Sequence, residues 1–209
     1  MNVRIQYPLN FTAGIYYNGQ MQMNNYVAKL YMMTNTPDGA ANNVAFDRIK
    51  YFVYNILDSS MFISAEHEEQ CKKYADAGLR VVTFPGDPVD QLVGIMLFQK
   101  LSAIMEDRIV LGEVEISSVI GDGVIYIHGD NENIDSLESP TWWDSADLVH
   151  CEGDLIDVDK VVTIHQGSVW RDLDLQWPDI EDITEKPEED DEYGNTVVYA
   201  DFKRLDETE

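Results

Sequence analysis

Basic side chains are scarce in this sequence. Its 209 residues hold 14 Lys and Arg against 39 Asp and Glu, a formal net charge of −25. Phosphate backbones are held by cations that displace condensed counterions, so this balance argues against direct binding of DNA or RNA. Cysteine is nearly missing, with only Cys71 and Cys151 present. Two thiols make no disulfide framework, and the start shows no charged segment leading into an apolar one, so the expectation is a reducing, cytoplasmic setting. No apolar run approaches the roughly 18 residues that a membrane helix needs. Glycine-rich phosphate loops, zinc-helix motifs and calcium-loop motifs are also lacking, and Gly121-Asp122-Gly123 reads as a turn.

What is present is unevenly distributed. Residues 1–129 carry 14 acidic and 9 basic side chains, whereas residues 130–209 carry 25 acidic and 5 basic, a net −20. This predicts an α+β core domain over 1–129 and an acidic C-terminal extension over 130–209, partly irregular. Trp142, Trp143, Trp170 and Trp177 imply that some of the extension packs back on the core. The run Glu181, Asp182, Glu185, Glu188, Glu189, Asp190, Asp191 and Glu192 repels itself, and 181–192 is expected to stay solvated and mobile. Acidity of this size suits capture of a basic protein surface, and it equally suits solubility or a high-salt habitat.

In the front part, Val3–Tyr7, Phe11–Tyr17 and Gln20–Met33 read as strands joined by an Asn18-Gly19 hairpin turn. Phe46, Ile49, Phe52, Val53, Ile56 and Leu57 recur at helical spacing, with Asn42 or Asn43 as cap and Asp47, Arg48 and Lys50 toward water. A short polar helix is expected over 65–76 and a short strand over 79–84. Asp87-Pro88-Val89-Asp90 then predicts a helix start, followed by an apolar stripe through Leu92, Val93, Met96, Leu97, Leu101, Ile104 and Met105. Strands over 109–119 and 124–128 complete a ββααββ order, an antiparallel sheet covered on one face by two helices. Lys160–Trp170 and Thr196–Arg204 are further strand candidates.

Several short motifs resemble the 6-pyruvoyl- and 6-carboxytetrahydropterin synthases. Phe11-Thr12-Ala13-Gly14-Ile15 resembles their first-strand Phe-x-Ala-x-His, and Gln22-Met23-Asn24-Asn25-Tyr26 their His-x-His-Asn-Tyr. Leu57-Asp58-Ser59 resembles Leu-Asp-His, and Pro88-Val89-Asp90-Gln91 resembles Thr-x-Glu-Asn. The pterin-anchoring glutamate of that family falls near Ser118. The resemblance implies a tunnelling fold whose sheets assemble into oligomeric barrels, hence a homo-oligomer, and a pocket near Asn24, Asn25, Asp90 and Ser118. It also implies a degenerate zinc site, because the three imidazoles are replaced by Ile15, Gln22 and Asn24, and amides are poor zinc ligands. No catalytic residue, metal or cofactor is therefore expected. Phe11–Gly14, Asp47–Lys50, Asp87–Gln91 and Trp142-Trp143 together are similar to acidic proteins of marine bacteriophages, particularly those of cyanobacteria, which implies a viral source.

Other candidates weigh less. His67 and Cys71 stand one helical turn apart, but two ligands do not make a metal site. His128, His150 and His165 read as structural or loop residues, and Glu68 and Glu69 oppose activation of Cys71 by Lys72 and Lys73. Met21, Met23, Met32 and Met33, with Tyr16 and Tyr17, read as a soft contact surface, a core or a subunit interface. The expected function is that of a non-enzymatic, phage-encoded acidic protein binding a basic surface of a host protein, such as a nucleic-acid-handling enzyme. The alternatives are a pterin- or deazapurine-type ligand-binding protein or enzyme with a rebuilt site, and a structural component of a virus particle.

Overall fold

The computed structural model describes residues 3–129, 142–148 and 169–178, together with the backbone of 161–162. The chain divides into two units, Met1–Trp177 and Pro178–Glu209, and the description concerns the first. The acidic run 181–192, the strand candidate Thr196–Arg204, and His150, Cys151 and His165 lie outside the described residues.

A long hairpin forms the centre of the fold. Strands β1 (Arg4–Tyr17) and β2 (Gln20–Thr34) pair in register from Arg4↔Met33 to Tyr17↔Gln20. Asn18 and Gly19 turn the chain with positive φ at both positions (50° and 75°), the geometry a two-residue type I′ turn requires. Side chains alternate between faces: Leu9, Phe11, Ala13, Tyr26, Ala28, Leu30 and Met32 enter the core, while Met21, Met23 and Val27 remain exposed.

Helix α1 (Gly39–Tyr51) starts earlier than its asparagines predict, because Asp38 caps it by accepting from the Ala40 N–H. It continues with wider π spacing over Phe52–Leu57, which keeps Phe52, Val53, Ile56 and Leu57 all buried. β3 (Met61–Ser64), α2 (Glu68–Asp76) and β4 (Val81–Phe84) follow, and then α3 (Asp90–Met105), β5 (Ile109–Ser118) and β6 (Tyr126–Gly129). With β7 (Val161–Val162) the sheet order is β6-β5-β2-β1-β3-β4-β7.

The α+β architecture expected from the element order is present, and the sheet carries an addition. β3 and β4 run parallel to β1 and to each other, joined through α2. Phe62, Val82 and Phe84 point into the main core, whereas Met61, Ile63 and Val81 meet Cys71 of α2 in a second small core. At this end the sheet is therefore covered on both faces, and its short strands read as continuous apolar runs.

α3 is buried nearly all round, with Leu92, Val93, Met96, Leu97, Leu101, Ile104 and Met105 in the core. A helix apolar on every side needs a cover on its outer side as well. Trp142, Trp143, Leu148 and Trp170 supply apolar surface to that same core. The Trp170 indole N–H donates to the Ala146 carbonyl, tying the two rear segments together (2.7 Å). Arg48, expected to face water, is buried beneath them. Its guanidinium donates to the carbonyls of Leu175 and Ile104 and to Glu106, and lies over the rings of Trp170 and Trp177.

Candidate functional site

The residues matched to catalytic positions come together where β1, β2, the end of β5 and the start of α3 meet. Pairing places Ile15 opposite Gln22 and Ala13 opposite Asn24, so the three positions matched to imidazoles neighbour one another on one face. Tyr26 lies opposite Ser118 across the β2–β5 ladder. Asp90, at the first position of α3, reaches the same point.

There the polar groups bind the chain itself. The Ser118 hydroxyl donates to the Asp90 carboxylate, its oxygen lying 2.8 and 2.7 Å from Oδ1 and Oδ2, and accepts from the Gly121 N–H (3.0 Å). The Asn24 side-chain oxygen accepts from the Ile120 N–H (3.1 Å). The Gly123 N–H returns to the Ser118 carbonyl. These bonds pin the turn between β5 and β6 over the cluster, and a Cβ at Gly121 would collide with Asp90 Oδ2. Asn24, Asp90 and Ser118 are all buried.

Burial sets the electrostatics. Loss of water raises the Asp90 carboxyl above its usual range, and the Ser118 hydrogen bonds only partly oppose this. The Tyr26 hydroxyl is buried without a hydrogen bond of good geometry. Burial raises its pKa, the Asn24 side chain works against that rise and the Asp90 carboxylate adds to it.

Asn25 does not join the cluster. Its neighbours Asn24 and Tyr26 face inward, so Asn25 points out on the opposite face and accepts from the Thr12 hydroxyl (2.7 Å). Asp58 is also structural, accepting the Thr12 backbone N–H (2.8 Å), and Ser59 stands with positive φ in the same corner. The residues do not fit a zinc ion: Ile15 has no donor atom, Gln22 is exposed, and the Asn24 oxygen is already engaged.

The chain resembles the tunnelling-fold pterin synthases. A solved structure of an uncharacterised protein from Wolinella succinogenes matches with 12% identity over 63% of this chain and 99% of that one, TM-score 0.46. The 6-pyruvoyl tetrahydropterin synthase of Plasmodium falciparum matches with 12% identity over 61% and 98%, TM-score 0.40. That of Plasmodium vivax matches with 10% identity over 63% and 99%, TM-score 0.40. No family model matches the chain, and no curated protein matches it.

The remaining candidates stay apart from the cluster. His67 packs edge-on against Tyr16, with ring centroids 5.2 Å apart. Cys71 is fully buried, and burial pushes its thiol up to about 11, the opposite of an activated nucleophile. His128 is packed inward, against Gly94 of α3. Among the described residues no three His, Cys, Asp or Glu side chains are grouped as a metal site, and no helix is long and apolar enough to cross a membrane. Lys100 escaped the sequence reading, which assigned Arg48 to water. The signal for Lys100 was a lone cation in a mostly apolar helix.

Proposed function

We propose that this chain is a non-catalytic, phage-encoded protein that works through contact, its acidic C-terminal sequence engaging a basic surface on a host protein. The observation that carries the non-catalytic half is the closed cluster: the Ser118 hydroxyl is engaged by the Asp90 carboxylate and the Gly121 N–H, and the Asn24 oxygen by the Ile120 N–H. A catalytic constellation leaves donors and acceptors free for the reacting group. The contact half rests on the net charge of −20 in residues 130–209, enough to steer association with an oppositely charged surface. A host enzyme that handles nucleic acid is the favoured target, with carboxylates standing in for phosphates.

The test compares the full-length chain with a variant whose eight carboxylates at Glu181, Asp182, Glu185, Glu188, Glu189, Asp190, Asp191 and Glu192 become amides. Affinity capture from host lysate should retain a basic protein that high salt releases and that the amide variant fails to hold. Equal capture by both proteins would remove the proposal.

A second reading, a rebuilt ligand site, is favoured by the buried Tyr26 hydroxyl, which lacks a hydrogen bond of good geometry. It predicts a co-purifying heteroaromatic compound, visible as absorbance beyond the protein band. A spectrum explained by tyrosine and tryptophan alone would dismiss it.

A further inference from the structure

On the face of the sheet turned away from the Asp90–Ser118 cluster, a glycine stands in a row with methionines. Gly14 of β1 lies opposite Met23 of β2 on one side and beside Met61 of β3 on the other. A glycine inside a strand weakens it and marks a place that another group approaches closely. Here two thioethers do so. A Cβ on Gly14 would collide with Met61 Sδ and lie 3.7 Å from Met23 Sδ, so both sulfurs lean over the gap that the glycine leaves. Met61 is buried, whereas Met23 and Met21 are 58% and 50% exposed. Met21 points to the same face one strand period from Met23, opposite Tyr16.

The chemistry of these donors defines the ion they suit. Thioethers are neutral, soft and polarizable, and they favour copper(I) over magnesium or calcium, which take oxygen. Zinc asks for four ligands, imidazole, thiolate or carboxylate among them. We propose that Met23 and Met61 grip a soft monovalent cation, copper(I) or silver(I), between them above Gly14, with Met21 supplying a third sulfur. With metal–sulfur bonds of roughly 2.3 Å, the two gripping sulfurs stand at most about 4.6 Å apart. Their places over Gly14 allow this, and the exposed Met23 chain has the freedom to complete it. The inference is independent of the partner reading given above.

The thiol of Cys71 takes no part. It shares a small core with Met61, but it is completely buried and its Sγ lies toward the Ser64 carbonyl (3.9 Å). Burial keeps the sulfur protonated, and the metal ligand is the thiolate. A cation held above Gly14 ties β2 to β3 across β1, fastening the short parallel strands to the central hairpin. The net charge of −25 favours its approach.

The probe is silver(I), added in chloride-free buffer to the full chain carrying Cys151→Ser and carbon-13-labelled methionine methyl groups. The Met23 and Met61 methyl signals should shift together and saturate at one equivalent, while those of Met96 and Met105, in the main core, stay in place. Calcium at the same concentration should move neither pair. Met23→Leu changes an exposed side chain and spares the core; it should weaken silver binding by about tenfold or more and abolish the Met61 shift. Movement of Met61 without Met23, as silver drawn to Cys71 alone would give, overturns the site. So does binding by Met23→Leu equal to that of the parent, or the lack of a saturable shift at either methyl.

Discussion

Asp90 illustrates how a carboxylate is held away from water. It stands at the positive end of α3, which favours the anion, yet burial outweighs that help and the Ser118 hydroxyl, leaving the acid harder to ionise than in an unfolded chain. The folded protein therefore keeps the proton over a window starting near the ordinary value of 3.8, and stability from this group falls as pH rises through that window. Asp90→Asn should gain stability relative to wild type as pH rises there, measured by urea unfolding at successive pH values. Parallel curves for the two proteins would refute that account. The grouping of Asn24, Asp90 and Ser118 came from the resemblance to the pterin synthases, because alternation and helix-start chemistry assign each residue to its own element and do not bring three elements together. Alternation, applied one residue further, also sends Asn25 to the other face. The Tyr26–Asp90 proximity was not legible, since it depends on the angle at which α3 meets the sheet.

At the scale of elements, two close approaches fix the layers. Gly94 lets α3 descend onto β6, for a Cβ there would collide with the His128 ring and sit 2.9 Å from Ile116 Cγ2. Gly94→Ala should cost about 1–3 kcal/mol in denaturant unfolding. Arg48 joins α1 to the rear segments through two carbonyls, Glu106 and two indoles. Arg48→Ala should cost about 2–3 kcal/mol, because buried carbonyls lose their donors. Arg48→Lys should recover little, an ammonium being unable to stack between rings while reaching both carbonyls. Helical periodicity marked α1 and α3, but it assigned Arg48 to solvent. The misplacement has a physical source: the cover over α1 comes from residues 169–177, far along the chain, and no local pattern announces it. The start of α3 also moved, to Asp90 instead of Pro88, since Val89 stays extended (ψ 159°) and takes the capping position.

Taken whole, the molecule combines a central antiparallel hairpin, legible from its turn and alternation, with parallel β3 and β4, which were not. Four-residue apolar runs carry no sign of direction, and only the intervening α2 hints at a parallel crossover. The proposed contact role rests on the acidic rear sequence, a net −20 over residues 130–209. If charge steers its encounters, the rate of association with a basic partner should fall steeply with ionic strength while dissociation changes little, as stopped-flow mixing would reveal. A salt-insensitive association rate would point to apolar recognition instead.

The strand order also fixes a sequence of events at the ribosome. β2 acquires β5 as its second neighbour only after the helices and the short parallel strands have been made. At roughly 5–20 residues per second, the stretch from Thr34 to Ile109 takes about 4–15 s to synthesise. Throughout that interval the nascent hairpin carries one bare edge beside Tyr26, Leu30 and Met32, so the growing chain is most exposed to misassociation just before its fifth strand emerges.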